Sequence, residues 1–179
     1  MVRETVLYLP VKEFLEARGY TVKSEVQDCD VVAVKDEEPV VVVELKLTFS
    51  MDLVLQGIQR QNITDDVYVA VRAPDTLAKH RNWRSRQRDY KKLCRRLGLG
   101  LMIVNPDTSR ERNVNVLVDP GPYVPRKSKR QKTRLMLEFA KRTGDPNTGG
   151  SNRTRIITAY RQDALRCAMA LNRQGSLKA

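Results

Sequence analysis

The chain has 179 residues, enough for one α/β core with an appendage and too few for two full domains. Its 33 Lys and Arg against 21 Asp and Glu leave a net charge of +12, which points to an anionic partner. Three scattered cysteines and a single histidine exclude a disulfide scaffold and a multi-histidine metal centre.

No apolar run reaches the roughly 20 residues of a membrane span, and no signal-peptide core opens the chain, so a cytoplasmic protein with no membrane attachment is expected. The charge is unevenly placed. Residues 1–75 hold 8 basic and 14 acidic side chains, net −6, whereas residues 76–179 carry a net +18. One part concentrates carboxylates and the other is suited to phosphates.

In chain order, Glu4 to Arg18 has Leu7, Val11, Phe14 and Leu15 at helical spacing and stops at Gly19. Pro10 has no amide hydrogen, so either the helix begins near Tyr8 with Glu4 in a lead-in turn, or a longer helix kinks there. Three β-rich runs follow, Tyr20 to Glu25, Cys29 to Val34 and Val40 to Leu47, and read as an antiparallel meander. Val40 to Val43 are all valine, which predicts a central strand covered on both faces. Ser50 is a suitable N-cap for a helix through about Arg60, and Val67 to Val71 returns as a strand, giving the order αβββαβ.

Leu77 to Leu97 is strongly basic, with helical character expected in its second half, and Leu99 to Val104 and Val114 to Val118 read as two further strands that extend the sheet. Asp119-Pro120-Gly121-Pro122 then breaks the chain. The expected division is an α/β domain over residues 1–123 and a basic helical extension over 124–179. In the extension, the basic run Arg126 to Arg134 leads into a helix with Leu135, Leu137 and Phe139. A Gly/Asn/Thr loop then precedes a last helix near Thr158 to Leu171, and the two helices could pack as a small helix-turn-helix-like unit in which Tyr160 is a core residue.

Alternation along the third strand places Glu44 and Lys46 on one face, and a hairpin through Asp36 to Pro39 sets Asp30 across from them. Two carboxylates and the backbone carbonyl of Leu45 are oxygen donors of the kind Mg²⁺ or Mn²⁺ takes, and a lysine beside them would orient water or offset charge on a phosphate. An E-x-K pair alone is as readily a solvated ion pair. Its setting, with Asp30 thirteen intervening residues upstream and the αβββαβ order around it, favours chemistry.

Cys29-Asp30 followed by Glu44-Leu45-Lys46 resembles the PD-(D/E)XK, or restriction-endonuclease-like, nuclease superfamily. The resemblance is nearest to uncharacterised bacterial proteins described as predicted PD-(D/E)XK phosphodiesterases, and more distant to archaeal Holliday-junction resolvases. It implies a central mixed sheet flanked by helices, with Asp30, Glu44 and Lys46 as the catalytic set and a metal on Asp30, Glu44 and the Leu45 carbonyl. Cys29 stands where the superfamily has proline. The resemblance further implies a metal contact from a first-helix glutamate, for which Glu4 is the better candidate, and a supporting glutamine, Gln56.

Arg81, Arg84, Arg86, Arg88, Lys91 and Lys92, interleaved with Trp83 and Tyr90, are candidate nucleic-acid contacts, as are Arg126, Lys127, Lys129 and Arg130. The expected activity is Mg²⁺-dependent hydrolysis of phosphodiester bonds in nucleic acid, DNA rather than RNA, by a protein that could act as a homodimer. The competing reading is an inactive nucleic-acid-binding module of the same fold. No Walker A loop or dinucleotide fingerprint is present, so no nucleotide cofactor is expected.

Overall fold

The computed structural model describes residues 3–106, 113–122, 127–147, 149 and 155–175. The chain divides into two compact units, Met1–Pro125 and Arg126–Ala179. In the first, a 3-10 turn, Glu4–Leu7, runs into α1 (Tyr8–Glu16), followed by β1 (Thr21–Val26), β2 (Cys29–Val34), β3 (Val41–Lys46), α2 (Met51–Arg60), β4 (Val67–Arg72), α3 (Leu77–Leu97), β5 (Gly100–Val104) and β6 (Val114–Val118). The second contains α4 (Lys129–Lys141) and α5 (Ala159–Gln174).

Among the described residues, six strands form one sheet in sequence order. β1, β2 and β3 are antiparallel, β3, β4 and β5 parallel, and β6 antiparallel to β5. Because the order advances in one direction from β3 to β5, two right-handed crossovers put α2 and α3 on the same face, leaving α1 to cover the other. The core divides accordingly. Leu7, Val11 and Leu15 pack with Val31, Val43, Leu45 and Met102 on one side. Leu53, Val54 and Cys94 pack with Val42, Val69, Val71 and Leu101 on the other. β3 is buried from Val41 to Leu45, as its unbroken valines predict.

Pro10 lies in the first turn of α1, where its missing amide hydrogen is not needed, and Glu4 is in the lead-in turn. Ser50 caps α2, its Oγ accepting from the Leu53 amide at 3.3 Å. Gly57 lets α2 lie close on the sheet: a Cβ there would come within 3.0 Å of Val69 and 3.2 Å of Leu99. α3 is helical throughout, including the first half. Thr76 caps it, and Trp83, Tyr90, Cys94 and Leu97, at steps of seven, four and three, share its inner face.

Within the second unit, Ser128 caps α4 and Thr158 caps α5. The two helices are joined mainly through polar groups. Glu138 Oε1 accepts from Arg142 Nη2 at 2.8 Å and from the Ala159 amide at 3.0 Å. Gln162 exchanges two hydrogen bonds with the Thr143 backbone, and Asn147 two with that of Ile157. With this polar clasp at its start, α5 turns Tyr160 outward; the residue expected in a core is 80% exposed. The connection from Arg142 to Thr158 is longer than the turn of about three or four residues in a helix-turn-helix motif.

Candidate active site

β2 and β3 pair as Ala33 with Val41, Val32 with Val42 and Val31 with Val43, and the ladder stops there. One step further along the same register stand Asp30 and Glu44. The Val42 amide bonds to Asp66 O on the β4 side, so the amide of Leu45, three residues on, points toward β2. Asp30 Oδ2 accepts that amide at 2.7 Å, standing in for a β2 carbonyl where the strands part. The Leu45 carbonyl is directed to the same edge by the same alternation. Sequence and register thus bring a carboxylate onto β3 at the fork.

Glu44 shares a face with Val42 and Lys46, on the α2 side, and is only 1% exposed. The last residue of α2, Arg60, reaches it: Nε lies 2.6 Å from Glu44 Oε1, and Nη2 donates to the carbonyl of Asp28 in the β1–β2 turn. Burial lifts the Glu44 pKa, and the Arg60 hydrogen bond pulls the other way. The charge of Asp30 lifts it further, and the net effect is upward, so the Asp30 carboxyl is close enough to oppose ionisation of Glu44. Burial likewise raises the Cys29 thiol above its ordinary value, keeping it uncharged beside the pair.

Lys46 is half-buried and pairs in register with Val71 of β4. Gln56 is one turn before Arg60 on the same face of α2; since α2 runs back along β3, this carries it toward the Lys46 end of the site. Glu4 is not gathered in. Its turn and α1 pack on the opposite side of the sheet, where Leu7 and Val11 are buried, while Glu4 itself is exposed. Among the described residues, no group of three or more His, Cys, Asp or Glu is placed to hold a metal.

The basic residues of α3 do not act as one group. At 3.6 residues per turn, Arg81, Arg88 and Lys92 lie opposite the inner stripe of Trp83, Tyr90 and Cys94, and Arg84 and Lys91 lie along one flank of it. Arg86 alone of those named adjoins the stripe. Lys127, Lys129 and Arg130 are exposed at the start of α4, and Arg126 lies outside the described residues. Arg60 escaped the sequence reading because its role depends on how α2 packs on β3. Its signal was the four-residue step from Gln56, beside a glycine that permits close approach.

The paired carboxylates and the Leu45 carbonyl are hard oxygen donors for a cation that keeps part of its water shell, and the upward shift at Glu44 marks a place where a divalent cation would relieve repulsion. The residues present therefore fit Mg²⁺ or Mn²⁺, on two carboxylates rather than three.

A mixed sheet in αβββαβ order, with acidic residues at the fork of β2 and β3, defines the restriction-endonuclease-like class of α/β fold. Residues 102–179 match the family described as "Putative PD-(D/E)XK phosphodiesterase (DUF2161)", in agreement with the resemblance seen in the sequence. The match begins within β5 and runs through β6 and the second unit, so Asp30, Glu44 and Lys46 precede it. No curated protein matches the chain. No helix among the described residues is long and apolar enough to cross a membrane.

Proposed function

We propose that the chain is a divalent-metal-dependent nuclease that hydrolyses phosphodiester bonds, DNA in preference to RNA, with Asp30, Glu44 and Lys46 as its reacting set. The observation that carries this reading is the capture of the Leu45 amide by Asp30 beside buried Glu44, which gathers two carboxylates and a carbonyl at one break in the sheet. Mg²⁺ or Mn²⁺ bound there would supply a Lewis acid and a lowered water pKa. Asp30, Glu44 and the Leu45 carbonyl would hold it. Lys46, on the same face and nearer the strand end, positions the attacking water and offsets charge on the phosphate oxygens. Gln56 supports the substrate from α2.

The Arg60–Glu44 ion pair favours one second reading, a binding module of the same fold in which a guanidinium permanently replaces the metal. Supercoiled plasmid, single-stranded DNA, a four-way junction and structured RNA, each incubated with Mg²⁺ or Mn²⁺, separate the two. Cleavage that falls at least about a hundredfold in both Glu44→Gln and Lys46→Ala supports the nuclease. Binding without cleavage on every substrate would establish the module instead. Sedimentation of the wild type with and without duplex tests whether a homodimer acts.

A further inference from the structure

Beyond Lys46 the chain leaves β3 through Leu47, Thr48 and Phe49, and together with the end of β4 and the first half of α3 this stretch walls a cavity of about 530 Å³. One wall is aromatic, and Arg72, Asp75, Lys79 and Asn82 line the opposite side, where Asp75 pairs with both Arg72 and Lys79. Phe49 and Tyr90 stack with ring centroids 4.1 Å apart and planes 19° from parallel, and Trp83 is tilted against Tyr90 at 5.5 Å. Its floor includes Val71, the register partner of Lys46, and Arg86 adjoins the aromatic stripe at its rim. Paired residues of neighbouring strands project to the same face, so floor and lysine are neighbours.

We infer that this cavity takes an unpaired base of the substrate strand, stacked on Trp83, next to the site formed by Asp30, Glu44 and Lys46. The inference rests on the nuclease reading for its substrate but not for its geometry. The aromatic wall suits the face of any base, and base–aromatic stacking is insensitive to sequence. The cationic rim suits the phosphates on either side. Position outside the carboxyl ends of parallel strands is where open α/β sheets receive ligands. Trp83 is half-buried, packing against the core on one side and bordering the cavity on the other. A base within a duplex cannot enter such a cavity, so the substrate must offer a single strand or a splayed nucleotide.

Trp83 is the only tryptophan in the chain, so its fluorescence reports this cavity alone. The full chain, with metal chelated to prevent cleavage, is titrated with a short oligothymidylate, a blunt duplex of the same length and thymidine monophosphate, binding being followed independently by anisotropy of labelled strands. Saturable quenching by the oligothymidylate, with the duplex bound but not quenching, is expected. Trp83→Ala should weaken oligothymidylate binding roughly tenfold while Trp83→Phe retains most of it. Arg86→Gln, which leaves the aromatic packing in place, should weaken it as well. Equal quenching by the duplex, unchanged affinity in a folded Trp83→Ala, or quenching by the mononucleotide as strong as by the strand would overturn the inference. Cleavage without quenching defeats this inference alone, and quenching without cleavage on any substrate defeats the nuclease reading alone.

Discussion

Burying a carboxyl beside a second one costs stability when both are ionised, and at Glu44 burial outweighs the attraction of Arg60. Its folded pKa stands above its unfolded value of about 4.3. Between those two values the native state binds more protons than the unfolded chain, so this group's contribution to stability is complete below the unfolded value and is lost as pH rises through the folded one. Glu38, Asp75 and Glu138, whose pKa values are lowered by basic partners, slope the other way, which makes the difference between variants the useful quantity. Urea unfolding of wild type and Glu44→Gln across mildly acid to neutral pH should show wild type losing ground to the variant as pH rises. A difference that does not change with pH would remove the repulsion at the fork.

Arg60 is the other residue on which the site turns. Its guanidinium already offsets the charge of Glu44, so an added cation must share or displace it. Titration calorimetry with Mn²⁺ should therefore show tighter binding to Arg60→Gln than to wild type, at a stability cost of about 3 kcal/mol for leaving a buried carboxylate without its partner. Weaker Mn²⁺ binding would mean that Arg60 holds Glu44 in place for the metal. Glu44 and Lys46 were legible in the sequence because a two-residue period is local, and Asp30 because a short hairpin fixes its partner. The link of Arg60 to Glu44 was not, since it spans a helix whose docking no local spacing reports.

At the level of elements, two glycines act in opposite senses. Gly100 of β5 pairs with Tyr68 of β4, whose ring lies over it: a Cβ at Gly100 would meet the ring at 2.3 Å. The ring cannot shift without losing the bond from Tyr68 Oη to Asp119 at 3.2 Å. Gly100→Ala should therefore destabilise by about 1–3 kcal/mol in urea unfolding. At Gly57 the approach is 3.0 Å to a valine methyl, and alanine gains about 1 kcal/mol of helix propensity, so Gly57→Ala should lie within about 1 kcal/mol of wild type. A neutral Gly100→Ala would show that Tyr68 is not locked. The strands were readable from their runs of branched apolar residues, but the first half of α3 was obscured by its charge. Only the steps from Trp83 through Tyr90 to Cys94 and Leu97 mark its inner face.

Across the whole molecule, the acidic first part contains the proposed metal ligands and the basic remainder follows them, a division visible in the sequence because charge needs no fold to be counted. What the count could not show is which cations have a structural use. Lys129 and Arg130 stand in the first turn of α4, which contains no acidic residue, and there a positive charge opposes the helix dipole at a cost of about 0.3–1 kcal/mol each. Side chains that cost their own helix stability are better explained by a ligand than by folding. Replacing Lys127, Lys129 and Arg130 with Gln should leave the second unit at least as stable. It should also weaken DNA binding alike on every sequence and make the dependence of log K on log salt shallower by about 0.9 for each duplex phosphate that is no longer neutralised. Salt titrations of the triple variant and wild type read that slope directly. A slope unchanged alongside a more stable helix would make these residues a solvated face, and the nucleic acid would then have to be held by the first unit alone.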